Sequence, residues 1–199
     1  YRIAIPTMLV AIAPDLDASL TEIAAAAGVY FLAYGLMQPI WGVLSTRVGL
    51  ATTMTLSITA GSLATLASAL AQDVTTLAIM RAVAGALFAA AFPAALIYVG
   101  ATPSPQRRQP EVNELLSRVA LGTTLSTVVS GALTYFVGWR WGFALTTALC
   151  LLSYLYLSHL TELKRMPWRD PLLAPLRRVL SNHRVYQLIL VGEILVNGL

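Results

Sequence analysis

The sequence predicts an all-α fold: a polytopic membrane bundle of six spanning helices followed by the start of a seventh. Three observations carry this. The residues are 57% hydrophobic and 11% charged, with mean hydropathy +0.72, whereas a soluble domain carries about 25% charged residues. The apolar residues fall in runs close to the ~20 residues a helix needs to cross hydrocarbon, each closed by a short segment rich in Gly, Pro, Asp or Arg. Basic residues gather in alternate segments, as the orientation rule for membrane helices requires. The formal charge of +4 therefore reads as an orientation signal and not as nucleic-acid binding. Cys150, the single cysteine, lies within an apolar run and reads as a small buried hydrophobe, with no internal disulfide open to it.

The first apolar run, roughly Ile3 to Ala13, is shorter than a span and reads as a helix lacking its start; the sequence also stops at Leu199 inside an apolar run. The acidic loop PDLDAS follows. Ser19 and Glu22 then have the spacing of a capping box, in which each side chain satisfies a free backbone amide of the other. The second span runs from about Leu20 to Trp41. GVLSTRVG, Gly42 to Gly49, separates it from the third: the glycines permit a tight turn, and Arg47 holds the segment at a membrane surface. The third span, about Leu50 to Ala71, carries Ser57, Gly61 and Thr65 at the spacing that lets helix backbones approach closely.

Asp73 suits the cap of a fourth span, about Val74 to Gly100, which a Pro- and Arg-rich cluster, ATPSPQRRQ, terminates. Pro110 suits the first position of the fifth helix, where Glu111 and Glu114 would meet its positive end; that helix runs to about Val137. GWRW turns the chain into a sixth span, about Gly142 to Leu160. The chain thus divides into a bundle over 1–160, a polar linker over 161–184 and the start of a further helix over 185–199. In the linker, Leu172, Leu173, Leu176, Val179 and Leu180 repeat at helical spacing beside Arg177 and Arg178, a pattern suited to a membrane surface.

Charge sets the sidedness. Arg47, then Arg107 and Arg108, then Lys164 through Arg184 fall on one side, while Asp15, Asp17 and Asp73 fall on the other with Arg140 as its only basic residue. The basic side is cytoplasmic, which places the N-terminus there too and expects a multi-pass protein of a bacterial-type plasma membrane.

GVLSTRVG resembles the G-x-L-a-D-r-x-G signature between helices two and three of major facilitator superfamily transporters, with Gly42, Leu44, Arg47 and Gly49 matching and Thr46 at the usual aspartate. LAIMRAVAG, Leu77 to Gly85, is similar to the family's helix-four pattern l-x-x-x-R-x-x-q-G through Arg81 and Gly85, with Ala84 at the glutamine. GWRWGF resembles the connection between helices five and six. The resemblance covers essentially the whole chain as the N-terminal half. It implies two six-helix bundles, each of inverted three-helix repeats, rocking around a central cavity lined by helices one, four and seven. It also implies that the C-terminal bundle of the same protein is a partner. Drug and proton antiporters of the superfamily commonly carry a Gly-Pro pair followed by two glycines in the fifth helix; here the run reads TVVSGA.

Arg81 is the foremost candidate site residue. It sits about 10 Å into the fourth span, too deep to reach water freely, and its charge requires carbonyls, water or a carboxylate. Two roles fit: a structural arginine, or, as the resemblance implies, proton coupling or anion binding. Gly85, Phe88 and Phe92 follow it at helical spacing, as a pocket wall or as packing. Tyr30, Tyr34 and Gln38 share a face of the second span, and their polar groups must meet protein or water. Thr123, Thr127 and Ser130 give the fifth span a polar stripe suited to helix-to-helix hydrogen bonds. Glu193, roughly 12 Å into the seventh span, would be desolvated and fit to carry a proton; a later helix start makes it interfacial.

The functional expectation is secondary active transport of a small-molecule solute by alternating access, with proton-coupled export of amphipathic compounds ahead of uptake or uniport of a hydrophilic one. No cofactor or metal is expected, since no His or Cys cluster is present. An intramembrane protease finds Ser130-Gly131 and His159, but Val128 stands at the required first glycine and His159 falls at a span's end. A channel finds no ring of charges or carbonyl filter.

Overall fold

The computed structural model describes residues 4–100 and 105–157, all within one compact unit, Tyr1–Arg165. The linker over 161–184, the seventh span over 185–199 and Glu193 lie outside the described residues. Seven helices follow in order: α1 (Ala4–Asp15), α2 (Leu20–Val48), α3 (Leu50–Ala69), α4 (Val74–Phe88), α5 (Ala91–Gly100), α6 (Pro105–Phe136) and α7 (Trp139–Leu157). The fourth expected span is α4 and α5 together, so α6 and α7 are the fifth and sixth. Among the described residues, four stretches are long and apolar enough to cross a membrane: Leu20–Ser45, Leu50–Ala69, Val74–Ile97 and Gln106–Phe136. Helix α1 has 12 residues, and α7 opens on Trp139, Arg140 and Trp141, so neither joins that set.

The caps form as their spacing requires. Ser19 N–H and hydroxyl both donate to Glu22 Oε2, at 2.9 and 2.8 Å, while Glu22 N–H donates to Ser19 Oγ at 3.2 Å. Thr76 N–H donates to Asp73 Oδ1 at 2.7 Å and opens α4.

Two boundaries differ from expectation. The Gly42–Gly49 segment is not a loop: α2 continues through Val48, and the turn is Gly49 alone, at φ 97 and ψ 143. Gly42 lies inside the helix with nothing within 4 Å of where a Cβ would stand, so only Gly49 supplies a turn. Its amide donates to Ser45 O, and its carbonyl accepts from both the amide and the hydroxyl of buried Thr53 at 3.0 and 2.8 Å. That backbone region is open essentially to glycine only, so Gly49→Ala should cost about 1–3 kcal/mol; a detergent melting curve reads it, with Gly42→Ala as the neutral comparison. At the other boundary, α6 starts at Pro105 and carries Pro110 inside. Glu111 and Glu114 therefore lie beyond the first turn, too far from the helix end to feel its dipole; Glu114 instead pairs with Arg118 one turn on.

Large apolar side chains cover the outer faces, while small and hydroxyl-bearing side chains share the interior with an apolar core. The buried face of α3 is built from Thr53, Ser57, Gly61, Ser62, Ala64, Thr65, Ser68 and their neighbours, whereas Leu56, Leu63, Leu66 and Leu70 are exposed. Lipid offers no hydrophobic drive between helices, so close approach of small residues takes its place. Gly61 lies so near Phe88 that a Cβ there would stand 3.0 Å from its ring.

At the end of the bundle opposite Gly49, Asp15 Oδ2 accepts from Trp139 Nε1 at 2.9 Å and pairs with Arg140, whose Nη2 donates to Ala71 O at 3.2 Å. This ties α1, the α3–α4 loop and α7 together. The indole hydrogen bond, then the Arg140 hydrogen bond, hold the Asp15 carboxyl below its ordinary value. A group so depressed contributes stability above the ordinary aspartate range, about 3.9, and loses it as pH falls through the lower folded value. Acidification below that range should therefore release the tie, read as a Trp139 fluorescence change that Asp15→Asn abolishes. The pair is half-exposed, so the effect on global stability should be small, about 1 kcal/mol or less.

Candidate functional site

Arg81 is carried on α4, whose start Asp73 fixes, and its side chain is fully buried. The guanidinium carbon stands 4.7 Å from the Tyr30 ring centroid and 5.4 Å from that of Phe143, so α2 and α7 each present an aromatic face to the same cation. A desolvated cation over a ring gains about 2 kcal/mol or more. Gly85, one turn along α4, makes the approach possible. A Cβ on it would overlap the Tyr30 carbonyl oxygen, so the missing side chain is what brings the α2 backbone against α4. The two matching residues of the helix-four pattern thus act together: Gly85 admits Tyr30, and Tyr30 covers Arg81.

Beyond Gly85 the helix breaks at Ala89–Ala90 and resumes as α5. Pro93 lacks the amide that would reach Ala89 O, and its ring crowds that carbonyl. The Ala90 amide reaches Leu87 O at 3.4 Å instead of Ala86 O. In hydrocarbon a released carbonyl must find a donor. Trp41 Nε1 of α2 donates to Ala86 O, and the Ser57 hydroxyl of α3 donates to Leu87 O, both at 2.8 Å. The break is therefore held from both sides.

Around this break lies a cavity of ≈ 360 Å³, mostly apolar, lined by Tyr30 and Tyr34 of α2, Met54 of α3, Phe88 of α4, Phe92 of α5, and by residues of α6 and α7 that include Thr123 and Cys150. Tyr30 and Tyr34 stack at 6.1 Å between centroids. Tyr30 thus forms cavity wall on one side and a cover for Arg81 on the other, which sets a fixed positive charge directly behind an aromatic lining.

Of the expected site residues, Tyr30, Tyr34, Phe88 and Phe92 meet at this cavity, and Arg81 lies behind it. Gln38 is half-buried but is not among the lining residues. Among the four signature positions, Leu44 packs on the cluster of Trp41, Ala89 and Ala90, Arg47 is exposed, Gly49 makes the turn, and Gly42 has free space beside it. Helix α1, expected to line the central cavity, contributes no lining residue among the described ones. The hydroxyl stripe of α6 also departs from expectation. Thr123 and Thr127, two of its three members, donate to the Ala120 and Thr123 carbonyls of their own helix, because a carbonyl three or four residues back is always in reach. A hydroxyl of α7 does reach across: Thr147 donates to Ser62 O of α3 at 3.2 Å as well as to Phe143 O of its own helix at 3.0 Å. Met54, Leu115, Val119 and Cys150 were not foreseen as lining, since nothing in an apolar run marks which face meets a void. Pro93, four residues past Ala89, was the one available signal for the break.

The described helices form a polytopic membrane bundle that encloses an apolar, aromatic cavity beside a buried cation. The chain belongs to the major facilitator superfamily: the family model of that description matches residues 1–197, and its members are transporters and not enzymes. It is similar to a protein of Mycobacterium tuberculosis described as an uncharacterized MFS-type transporter, EfpA, with 30% identity over 130 residues in each of two strains. The alignment covers 65% of this chain and 24% of the relative, so the chain spans about a quarter of the length of the curated proteins it matches.

Proposed function

We propose that the chain is the N-terminal bundle of a secondary active transporter that works by alternating access and exports amphipathic compounds against entering protons. The bundle over 1–160 would be joined by a cytoplasmic linker over 161–184 to a C-terminal bundle beginning with 185–199. The N-terminus would be cytoplasmic, in a bacterial-type plasma membrane. The observation that carries this reading is the aromatic, largely apolar cavity backed by Arg81. Its lining offers rings and methyls to an apolar body and few groups to bind a sugar's many hydroxyls, which favours amphipathic solutes over hydrophilic ones.

Proton coupling divides between two groups. The part of Arg81 is that of a buried positive charge that its surroundings must answer as the bundle rocks. The proton carrier is Glu193, a carboxylate placed by sequence within the seventh span.

The test uses the full-length transporter in weakly buffered detergent with a pH-sensitive dye, titrated with tetraphenylphosphonium, a disaccharide and a dicarboxylate. Proton release on adding the lipophilic cation, lost in Glu193→Gln while binding persists, is the expected result. Cation binding with no proton change would overturn the antiport reading; a response to the disaccharide alone would replace it with uptake.

A further inference from the structure

A second void, ≈ 280 Å³, runs between α6 and α7 along Gly122, Leu125, Val129 and Leu133 of α6 and Leu145 and Leu149 of α7. It is apolar and faces outward: Leu125, Val129 and Leu149 are exposed at 64%, 41% and 53%. The apolar window of α6 is only 6% buried, so among the described residues protein bounds the groove on one side alone. From Gly122 to Leu133 it extends about 16 Å along the helix axis, close to half the ~30 Å hydrocarbon thickness and hence to the depth of one leaflet.

Its head end is chemically marked. Arg118, Gly122, Leu125, Val129 and Leu133 form one row at spacings of four, three, four and four, so Arg118 stands one turn beyond the groove on the same face of α6. Counting ~20 residues back from Phe136, the end of α6, puts the other hydrocarbon boundary near residue 116; Arg118 stands within one turn of it, and its long side chain reaches headgroup level. It is exposed and pairs with Glu114, whose carboxylate shares the same headgroup zone. Helical side chains lean toward the N-terminus, which aims Arg118 out of the hydrocarbon.

We propose that this groove holds one glycerophospholipid of the leaflet on the Arg118 side, an acyl chain lying along the row from Gly122 to Leu133 and the phosphate taken by Arg118. The leaflet-length apolar void and the basic side chain at its head match the two parts of that molecule. An acyl chain fills a void that α6 and α7 leave between them, while the guanidinium, which gives one Nη2 hydrogen bond to Glu114, turns its remaining N–H donors to the phosphate.

The experiment is native mass spectrometry of the full-length protein after extensive detergent washing, then titration with a defined phosphatidylethanolamine–phosphatidylglycerol mixture. One phospholipid should stay bound to the wild type. Val129→Trp, which fills the groove, should lose it, whereas Val128→Trp on an adjoining exposed face should retain it. Arg118→Gln should weaken rebinding by about tenfold, the size of one charge-assisted hydrogen bond. Thermal melts of each variant separate lipid loss from unfolding. Equal retention in Val129→Trp and wild type, with both folded, would overturn the proposal and assign the groove to packing against the rest of the protein. Loss of lipid equally in both tryptophan variants would overturn it as well.

Discussion

Gly85→Ala is expected to destabilise the bundle by about 3 kcal/mol or more, the upper range for overpacking a filled interior. The atom in the way is the backbone carbonyl oxygen of Tyr30, and a backbone atom cannot rotate aside as a side chain can. Helices α2 and α4 must separate, and three things then move together: the Tyr30 ring over Arg81, the Trp41 bond to Ala86 O and the packing of Ala84 and Ala89. The comparison that isolates the cause is Gly28→Ala or Gly122→Ala. Both glycines have open space beside them, and alanine there should be neutral or stabilising by up to about 1 kcal/mol through helix propensity. Gly142→Ala is an intermediate case, since the obstacle is the flexible end of the Met8 side chain. Melting in detergent with size-exclusion recovery reads the series; a Gly85→Ala protein as stable as Gly28→Ala would refute the close approach.

Arg81→Met is expected to leave the fold standing and abolish coupled transport. Methionine removes the desolvation cost of the buried charge together with its contacts to the Tyr30 and Phe143 rings, and the two offset. The melting temperature should therefore change little. Transport and ligand-induced proton release should fall by more than about tenfold, a loss of at least about 1.4 kcal/mol at the coupling step. Arg81→Lys sharpens the test. Lysine keeps the charge but not the planar guanidinium that lies between the Tyr30 and Phe143 rings. If charge alone matters, lysine rescues transport; if stacking holds α2 and α7 to α4, lysine fails and lowers stability. Full transport in Arg81→Met would return Arg81 to a purely structural role.

Much of the candidate site was legible because its signals are local. The intramembrane arginine, the glycine four residues later and the aromatic residues at helical spacing all lie within a few turns of one another. The break at Ala89–Ala90 was legible only as Pro93, and what holds it was not, since Trp41 and Ser57 lie 45 and 30 residues from their acceptors. The hydroxyl stripe of α6 misled for a related reason: a threonine's donor has a local acceptor in every helix, so spacing alone does not distinguish a bond within the helix from one between helices.

The sequence by itself determined the membrane class, the place of the four long apolar stretches, the caps at Ser19 and Asp73, and the family. Each is written in composition, in three- or four-residue spacing, or in a short motif, and each follows from the need of hydrocarbon to exclude charge and unpaired backbone. Only the tertiary structure decided that Asp15 meets Trp139 and Arg140 across 124 and 125 residues, that Arg81 lies between two rings, and that voids open beside α6. Between membrane helices there is no hydrophobic face to read; which small residues meet depends on the mutual fit of whole surfaces, and that fit is settled only when the helices are together.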